Sequence, residues 1–163
     1  MNQEQDTFEE SIMNSPVGDL QIVTCQDSLR TLHFLDSNQT KPIIKGYGQV
    51  VVDQLLEYFN GQRQHFELNL NPQGTNFQRI IWDLLCKIQY GKTISYLELA
   101  KQYGDIKAIR AIGTTNGKNP IAIIIPCHRV IGSDGSLTGY AGGLDRKRWL
   151  LNHEARLSGL TLF

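Results

Sequence analysis

Apolar positions in the first part of the chain recur with the period of strands and then with the period of a helix. Segments 20–25 and 31–35 are short, rich in β-branched and apolar residues, and separated by turn-forming residues, which predicts an antiparallel meander. Residues 49–59 follow the helical period up to Asn60 and Gly61, so a helix is expected there. Its predicted inner face comprises Val52, Leu55, Leu56 and Phe59.

The helical period returns after a second strand-like segment. That strand is predicted over 66–70, before the turn-rich stretch 71–74. Thr75 and Gln78 have the spacing of a capping box, so a helix is expected to begin after Thr75. Its apolar stripe runs through Phe77, Ile80, Ile81, Leu84, Leu85 and Ile88. Cys86 lies beside the stripe and is expected to be a packing residue.

Two short helices joined by a glycine-containing turn are predicted next. Ser95 and Glu98 have the spacing of a second capping box. The helix that they cap covers 96–103 and ends at Gly104, and another begins near Lys107. This arrangement is typical of a helix-turn-helix, although plain helical hairpins share it. The helix-turn-helix is favoured by the basic residues Lys101, Lys107, Arg110 and Lys118.

The apolar run 121–125 predicts a buried strand, and a reactive trio follows it: Cys127, His128 and Arg129. A lone cysteine is most often a small packing residue. An adjacent imidazole and guanidinium favour the thiolate, and therefore a nucleophile. Because neighbours on a strand point to opposite faces, the thiol and the imidazole can interact only through a bend after Pro126 or through a water.

Composition excludes several classes of protein. The chain of 163 residues, 40% hydrophobic and 20% charged, is long enough to bury a sizeable core. Its longest apolar stretch is far shorter than the ~20 residues of a membrane span. The acidic N-terminus lacks a signal-peptide pattern, so we expect a cytoplasmic location and no membrane partner.

The three cysteines, Cys25, Cys86 and Cys127, are an odd number at wide spacing, which argues against a disulfide framework. Without a CxxC or HxxxH motif, no metal site is expected.

The net charge of zero conceals an asymmetry. Residues 1–74 carry four Lys/Arg against ten Asp/Glu, whereas residues 75–163 carry twelve against six. A basic half indicates either a polyanion partner such as nucleic acid or a merely solvated surface. Together with the turn-rich break, the asymmetry predicts two domains, 1–73 and 74–163, the second closed by a helix over 144–155.

Several short motifs follow one another in the order of a known family. They are GTNFQ (74–78), ISYLELA (94–100), RAIG (110–113), NP (119–120), PCHRV (126–130), GYAGGL (139–144) and K with LLNHE (147 and 150–154). In this order the second half resembles the O6-alkylguanine-DNA alkyltransferases, and PCHRV is the most specific of the motifs. The resemblance implies an α/β (α+β) protein with a small N-terminal ribonuclease H-like αβ domain. The C-terminal domain would be helical and winged-helix-like, with a helix-turn-helix.

The resemblance implies DNA repair by direct reversal. Cys127 would take the alkyl group from guanine O6, or from O4 of methylated thymine, in one irreversible displacement. His128 would deprotonate the thiol through a bridging water, and Glu154 would orient the imidazole and stabilise the imidazolium. The protein would act as a monomer on double-stranded DNA containing O6-alkylguanine, and it would need no cofactor.

The resemblance also assigns residues to DNA recognition. Arg110 would enter the base stack in place of the flipped nucleotide. Tyr96 would turn the phosphate backbone and donate a proton or hydrogen bond toward guanine N3. The recognition helix would lie in the minor groove. Thr115 and Arg129 complete the predicted DNA-binding set.

A pocket for the flipped base is implied as well. It would be formed by Val130, Tyr140, Ala141 and Gly142. The Val130 carbonyl would accept from the exocyclic amine of guanine, and backbone amides near Ala141 would contact O6. Asn119 would be the hinge whose amide ties the Cys127 loop to neighbouring backbone, alongside its ordinary role in an Asn-Pro turn.

Three other functions remain open. A non-catalytic lesion-binding protein of the alkyltransferase-like type would share the fold, but such proteins typically have tryptophan in place of the cysteine. A helix-turn-helix regulator without catalysis would leave the PCHR segment without a role. A cysteine hydrolase would use Cys127, His128 and Glu154, and ester or peptide cleavage instead of methyl transfer would reveal it.

Overall fold

The chain folds as two compact units, Met1–Gln73 and Gly74–Phe163. A computed structural model describes residues 5–157, so the first four residues of the acidic N-terminal segment lie outside it. No helix in the described part is long and apolar enough to cross a membrane.

The N-terminal unit contains a three-stranded antiparallel sheet. Its strands β1 (Phe8–Met13), β2 (Leu20–Cys25) and β3 (Ser28–Phe34) lie in chain order. The predicted meander is therefore confirmed. Leu20 and Ile22 of β2 are fully buried, as the alternation of a half-buried strand requires.

Helix α1 (Gly48–Phe59) packs on β1 and β2. Its buried residues are Gly48, Val51, Val52, Gln54, Leu55 and Tyr58. Leu56, which the pattern placed on this face, is exposed. The buried arc is therefore rotated toward Val51 and Tyr58.

The predicted strand over 66–70 is wrong. Within this segment only Leu70 forms a ladder contact, an isolated parallel bridge to Leu29. The buried amide of Gln54 takes the place of a neighbouring strand: its Nε2 donates to the Glu67 carbonyl at 3.1 Å, and its Oε1 accepts from the Glu67 N–H at 2.9 Å. A side chain of α1 thus satisfies backbone groups that a strand would otherwise pair.

Helix α2 (Asn76–Cys86) opens the C-terminal unit at the predicted capping box. The Thr75 hydroxyl accepts from the Gln78 N–H at 3.1 Å, and Gln78 Oε1 accepts from the Thr75 N–H at 3.0 Å. The helix buries Ile81, Trp82 and Leu85. Cys86, which was expected to be a packing residue, is exposed as a residue at the end of the helix, although partial burial raises the pKa of its thiol to about 11.

Helix α3 (Tyr96–Tyr103) is the first helix of the predicted helix-turn-helix. It starts at Ser95, whose hydroxyl accepts from the Glu98 N–H at 3.0 Å. It ends at Gly104, where φ is +99°, a left-handed value that favours glycine. Both predicted ends are confirmed.

The second helix, α4 (Ile109–Gly117), follows a short 3-10 turn, Ile106–Ala108. It packs against α3 and α2. Trp82 Nε1 of α2 donates to the Thr115 carbonyl at 3.1 Å, which fixes the C-terminal half of α4.

The predicted strand over 121–125 is also wrong. The segment is buried throughout, but it turns, and Ile123 has a φ of +70°. This conformation is an outlier for a β-branched residue and costs about 1–3 kcal/mol. A short apolar run predicts burial but does not distinguish a strand from a buried turn.

Two short strands and a long helix complete the C-terminal unit. β4 (Ile94–Ser95) and β5 (Val130–Ile131) pair in parallel, and α5 (Leu144–Leu157) closes the chain's described part. β5 follows directly after the cysteine turn, and α5 packs against that turn. The reactive trio is therefore held between α2, α5 and the small sheet.

Candidate active site

Cys127 begins a buried 3-10 turn, Cys127–Arg129. Its side chain is almost completely enclosed, with 5% of the residue exposed. The Cys127 N–H donates to the Ile125 carbonyl at 2.8 Å, and the Arg129 N–H donates to the Pro126 carbonyl at 3.0 Å. The chain thus bends after Pro126, which is one of the two geometries that the sequence required.

Two asparagines tie this turn to the end of α4. Asn119 Nδ2 donates to the Ile125 carbonyl at 2.7 Å, and its Oδ1 accepts from the Ile121 N–H at 3.0 Å. Asn116 Nδ2 donates to the Cys127 carbonyl at 3.4 Å. The sequence analysis named Asn119 but missed Asn116, because an asparagine near a helix end usually signals only a cap.

His128 and Glu154 form a buried pair. His128 Nε2 lies 2.9 Å from Glu154 Oε1, and both side chains are essentially inaccessible. Burial acts to raise the pKa of Glu154, but the neighbouring His128 and Arg129 outweigh it and lower the pKa below its usual range. An ionised carboxylate can only accept, so Nε2 carries the hydrogen.

The other ring nitrogen, His128 Nδ1, is then the basic one. It is buried and has no hydrogen-bond partner among residues 5–157. Burial lowers the pKa of His128, although the charge of Glu154 opposes this shift. The imidazole is therefore neutral at rest, with its lone pair on Nδ1 available as a proton acceptor.

Arg129 completes the charge balance of Glu154. Its Nη2 donates to Oε1 at 2.7 Å and its Nε to Oε2 at 3.0 Å, while Nη1 donates to the Ile88 carbonyl at 2.7 Å. The guanidinium also lies 5.6 Å from the centre of the Tyr90 ring. Because Arg129 is buried and fully engaged in these bonds, the structure does not support its predicted contact with DNA.

The surroundings of the Cys127 thiol favour its protonated form. Burial raises the pKa of this thiol, while a hydrogen bond from Asn119 and the charge of Lys147 act to lower it. The first effect is the largest, so a base must remove the proton before the sulfur can react. No hydrogen bond joins the thiol to His128 within the described range, and the bridging water expected from the sequence remains a prediction.

Lys147 is a second residue that the sequence analysis left without a role. It is fully buried on α5, and its Nζ donates to the carbonyls of Val130 at 2.7 Å, Thr138 at 3.0 Å and Gly139 at 3.4 Å. The motif that contains it was recognised, but a lysine on a polar helix is ordinarily exposed.

The residues predicted to contact the flipped guanine differ in exposure. Tyr96, the first residue of α3, is half-buried, and its hydroxyl donates to the Thr138 carbonyl at 3.3 Å. Burial raises the pKa of Tyr96 and raises that of Tyr140 well above its usual value, so both phenols stay protonated. Ala141 is exposed and Gly142 is half-buried. Contacts between these residues and guanine remain predictions.

The exposed surface of α4 carries Arg110. Thr114 is also exposed, and its hydroxyl donates to the Arg110 carbonyl at 3.1 Å. Thr115, the residue predicted to contact DNA, is instead 4% exposed. On this helix the outward threonine is therefore Thr114.

No cluster of three or more His, Cys, Asp or Glu side chains that could hold a metal ion occurs in the described part of the chain. The site consists of a thiol, a neutral imidazole, one carboxylate and two buried cations. This set can carry out a proton transfer and a nucleophilic displacement.

Family models match both units. The model described as the 6-O-methylguanine DNA methyltransferase DNA-binding domain matches residues 76–156, and the corresponding ribonuclease-like domain matches residues 9–72. A methylated-DNA–protein-cysteine methyltransferase of Methanosarcina barkeri is 46% identical over 149 residues, or 88% of this chain and 94% of the relative. One from Mycolicibacterium paratuberculosis is 45% identical over 159 residues, or 93% and 96%.

Two solved structures also match this chain over most of its length. The crystal structure of Mycobacterium tuberculosis O6-methylguanine methyltransferase covers 92% of this chain and 94% of its own, with a TM-score of 0.83 and 42% identity. The structure of Mycobacterium tuberculosis OGT in complex with DNA covers 90% of this chain and 92% of its own, with a TM-score of 0.83 and 44% identity.

The chain belongs to the 6-O-methylguanine DNA methyltransferase family, which confirms the resemblance and the fold expected from the sequence. It is a methyltransferase of direct-reversal DNA repair.

Proposed function

We propose that this protein removes the alkyl group from O6-alkylguanine in duplex DNA and keeps it on Cys127, in a single irreversible turnover. One observation carries the proposal: next to the buried Cys127, His128 is bonded through Nε2 to the buried Glu154, and its Nδ1 lone pair has no protein partner among the described residues. This nitrogen is placed to receive the thiol proton through one water.

The first step is a proton transfer. The thiol proton passes through the water to His128 Nδ1, which leaves a thiolate and an imidazolium. Glu154 stabilises the imidazolium across the 2.9 Å bond to Nε2. Arg129 holds the carboxylate in place with its Nη2 bond of 2.7 Å. The base is therefore oriented before the substrate arrives.

The second step is the displacement. The thiolate attacks the alkyl carbon, the S–C bond forms, and the C–O6 bond breaks with its electron pair passing to guanine. The guanine anion takes up a proton at N1 from water and the imidazolium returns its proton to water, so that neutral guanine and neutral His128 are both restored. The protonated phenol of Tyr96 supports this step as a hydrogen-bond donor to guanine N3 once it leaves the Thr138 carbonyl, a long bond of 3.3 Å.

The thiol is too enclosed for a stacked base to reach it. The lesion must therefore leave the duplex, at a cost of about a few kcal/mol that is smallest for damaged pairs. Arg110 is exposed on α4 and is suited to occupy the vacated position in the stack. Thr114 and the basic residues of this unit would lie against the phosphates.

Transfer is expected to stop at one alkyl group per chain, because the thioether on Cys127 has no leaving route. Protein is incubated with excess duplex containing a single O6-methylguanine, restored guanine is counted, and the Cys127 peptide is analysed by mass spectrometry. A plateau at about one methyl per chain, with the added mass on Cys127, is the expected result. Turnover beyond the plateau, or a methyl on Cys25 or Cys86 only, would refute the proposal.

Arg110→Ala is expected to slow repair of duplex lesions by about ten- to a hundredfold, while reaction with free O6-benzylguanine is nearly unchanged. Only the duplex substrate requires a nucleotide to be displaced. Rates on both substrates are compared under single-turnover conditions. Lys87→Ala, which removes one exposed positive charge just after α2, is the matched control. Equal losses on both substrates would show that Arg110 acts on folding or chemistry instead.

A further inference from the structure

The side-chain amide of Asn116, in the C-terminal half of α4, is bonded at only one of its two ends. The residue is almost completely buried, with 4% exposed. Its Nδ2 donates to the Cys127 carbonyl at 3.4 Å, but its Oδ1 is buried without a hydrogen-bond partner among residues 5–157. The amide of Asn119, by contrast, is bonded through both its nitrogen and its oxygen. Buried polar atoms are ordinarily paired, so the one-sided bonding of Asn116 requires an explanation.

The phenol of Tyr96 approaches the same amide from α3. Its ring lies 4.0 Å from the position that a Cβ on Gly113 would occupy, and Gly113 is about one helical turn before Asn116 on the same face of α4. Burial and the charge of Cys127 raise the pKa of Tyr96, whereas hydrogen bonds with Thr138 and with the Asn116 side chain act to lower it. The amide of Asn116 therefore lies between the cysteine turn and the tyrosine.

The Cys127 carbonyl decides which end of the amide is turned toward these groups. A carbonyl oxygen only accepts, so it would repel Oδ1 of Asn116, and the nitrogen must lie there instead. One N–H of Asn116 is used by Cys127, and the second is available to the hydroxyl oxygen of Tyr96. A phenol that accepts from an amide directs its own hydrogen to another acceptor, which in this structure is the Thr138 carbonyl at 3.3 Å.

We propose that Asn116 is a positioning residue for the transfer: its amide donates to the Tyr96 hydroxyl and thereby makes this phenol a hydrogen-bond donor toward the flipped guanine. The inference rests on the proposed function, in which Tyr96 leaves the Thr138 carbonyl for guanine N3. Hydrogen bonds in such a chain strengthen one another. Turning the amide to pair its oxygen would break the bond to Cys127, so Oδ1 stays without a partner.

Asn116→Leu tests this role, because it removes the donor and keeps a side chain of similar size. The maximal single-turnover rate on an O6-methylguanine duplex is expected to fall about tenfold, while the duplex concentration that gives half of that rate stays within about twofold. Asn76→Leu makes the same substitution at an exposed asparagine at the start of α2 and should leave both values unchanged. An unchanged maximal rate in Asn116→Leu would overturn the proposal.

Two comparisons separate an effect through Tyr96 from a merely structural one. The double variant Asn116→Leu with Tyr96→Phe should be no slower than Tyr96→Phe alone, because both substitutions weaken the same bond to the base. A duplex containing O6-methyl-3-deazaguanine has C–H in place of N3, and Asn116→Leu should repair it as fast as the native chain does. If the losses of the two variants multiply, or if Asn116→Leu slows both substrates equally, Asn116 only supports the fold and the proposal is wrong. A native chain that transfers no methyl group from either duplex would refute the proposed function itself, and this inference with it.

If Asn116→Leu does not fold, Tyr96→Phe supplies the decisive measurement, since it removes only one oxygen atom from a half-buried ring. The two side-chain amide hydrogens of Asn116 are observed by NMR in the native chain and in this variant, without DNA. One resonance is expected to shift upfield, because its hydrogen loses the phenol oxygen as acceptor, while the resonance of the hydrogen on the Cys127 carbonyl keeps its position. Two unchanged resonances would overturn the proposal.

Discussion

Cys127→Ser is expected to abolish alkyl transfer and to leave binding to duplex DNA intact. The hydroxyl is nearly isosteric with the thiol, so the buried turn keeps its shape, but an alcohol is a far weaker nucleophile toward a saturated carbon. The rate should fall by about 10³-fold or more. Transfer is measured with a labelled O6-methylguanine duplex, and binding is measured on the same duplex by fluorescence anisotropy.

Cys86→Ser is the matched control for this variant. It makes the same substitution at an exposed thiol on the flank of α2, and transfer should proceed at the native rate. Substantial transfer by Cys127→Ser would show that another residue accepts the alkyl group. Loss of DNA binding together with transfer would show that the substitution disturbs the fold rather than the chemistry.

Glu154→Gln is expected to reduce transfer by about 10²- to 10⁴-fold, the usual contribution of an oriented general base. The amide cannot stabilise an imidazolium as a carboxylate does. The same change leaves the buried guanidinium of Arg129 without its counter-charge, which should lower the free energy of unfolding by about 3–5 kcal/mol. Asp145→Asn, at an exposed position of α5, should change neither quantity measurably.

A double variant separates these two effects. Glu154→Gln with Arg129→Met removes the unpaired cation, so stability should return toward the native value while transfer remains slow. Recovery of both the stability and the rate of transfer would mean that the Arg129–Glu154 pair is purely structural. Stability and rate are measured on the same preparations by urea unfolding and single-turnover kinetics.

The shifted pKa of Glu154 also predicts how stability depends on pH. Its pKa is lower in the folded chain than in the unfolded chain. The resulting stabilisation is present above the unfolded value of about 4.3 and is lost as the pH falls below it. Glu154→Gln should therefore unfold with a flatter acid dependence than the native protein.

The helices whose ends are defined by local chemistry could be predicted from the sequence. The capping box at Thr75 and the start and stop of α3 at Ser95 and Gly104 involve residues only a few positions apart. Such contacts are present whenever the local segment folds, so tertiary context did not alter them. The family could be predicted as well, because motif order is a property of the chain itself.

Tertiary structure decided the conformation of the apolar run 121–125 and the partners of the buried charges. An apolar run has the same composition whether it becomes a strand or a turn, and the bonds of Asn119 to both of its ends select the turn. Arg129 meets Glu154, 25 positions away, and Lys147 meets Val130, 17 positions away. Charged side chains are ordinarily solvated, so nothing local distinguishes these two from surface residues until the fold removes them from water.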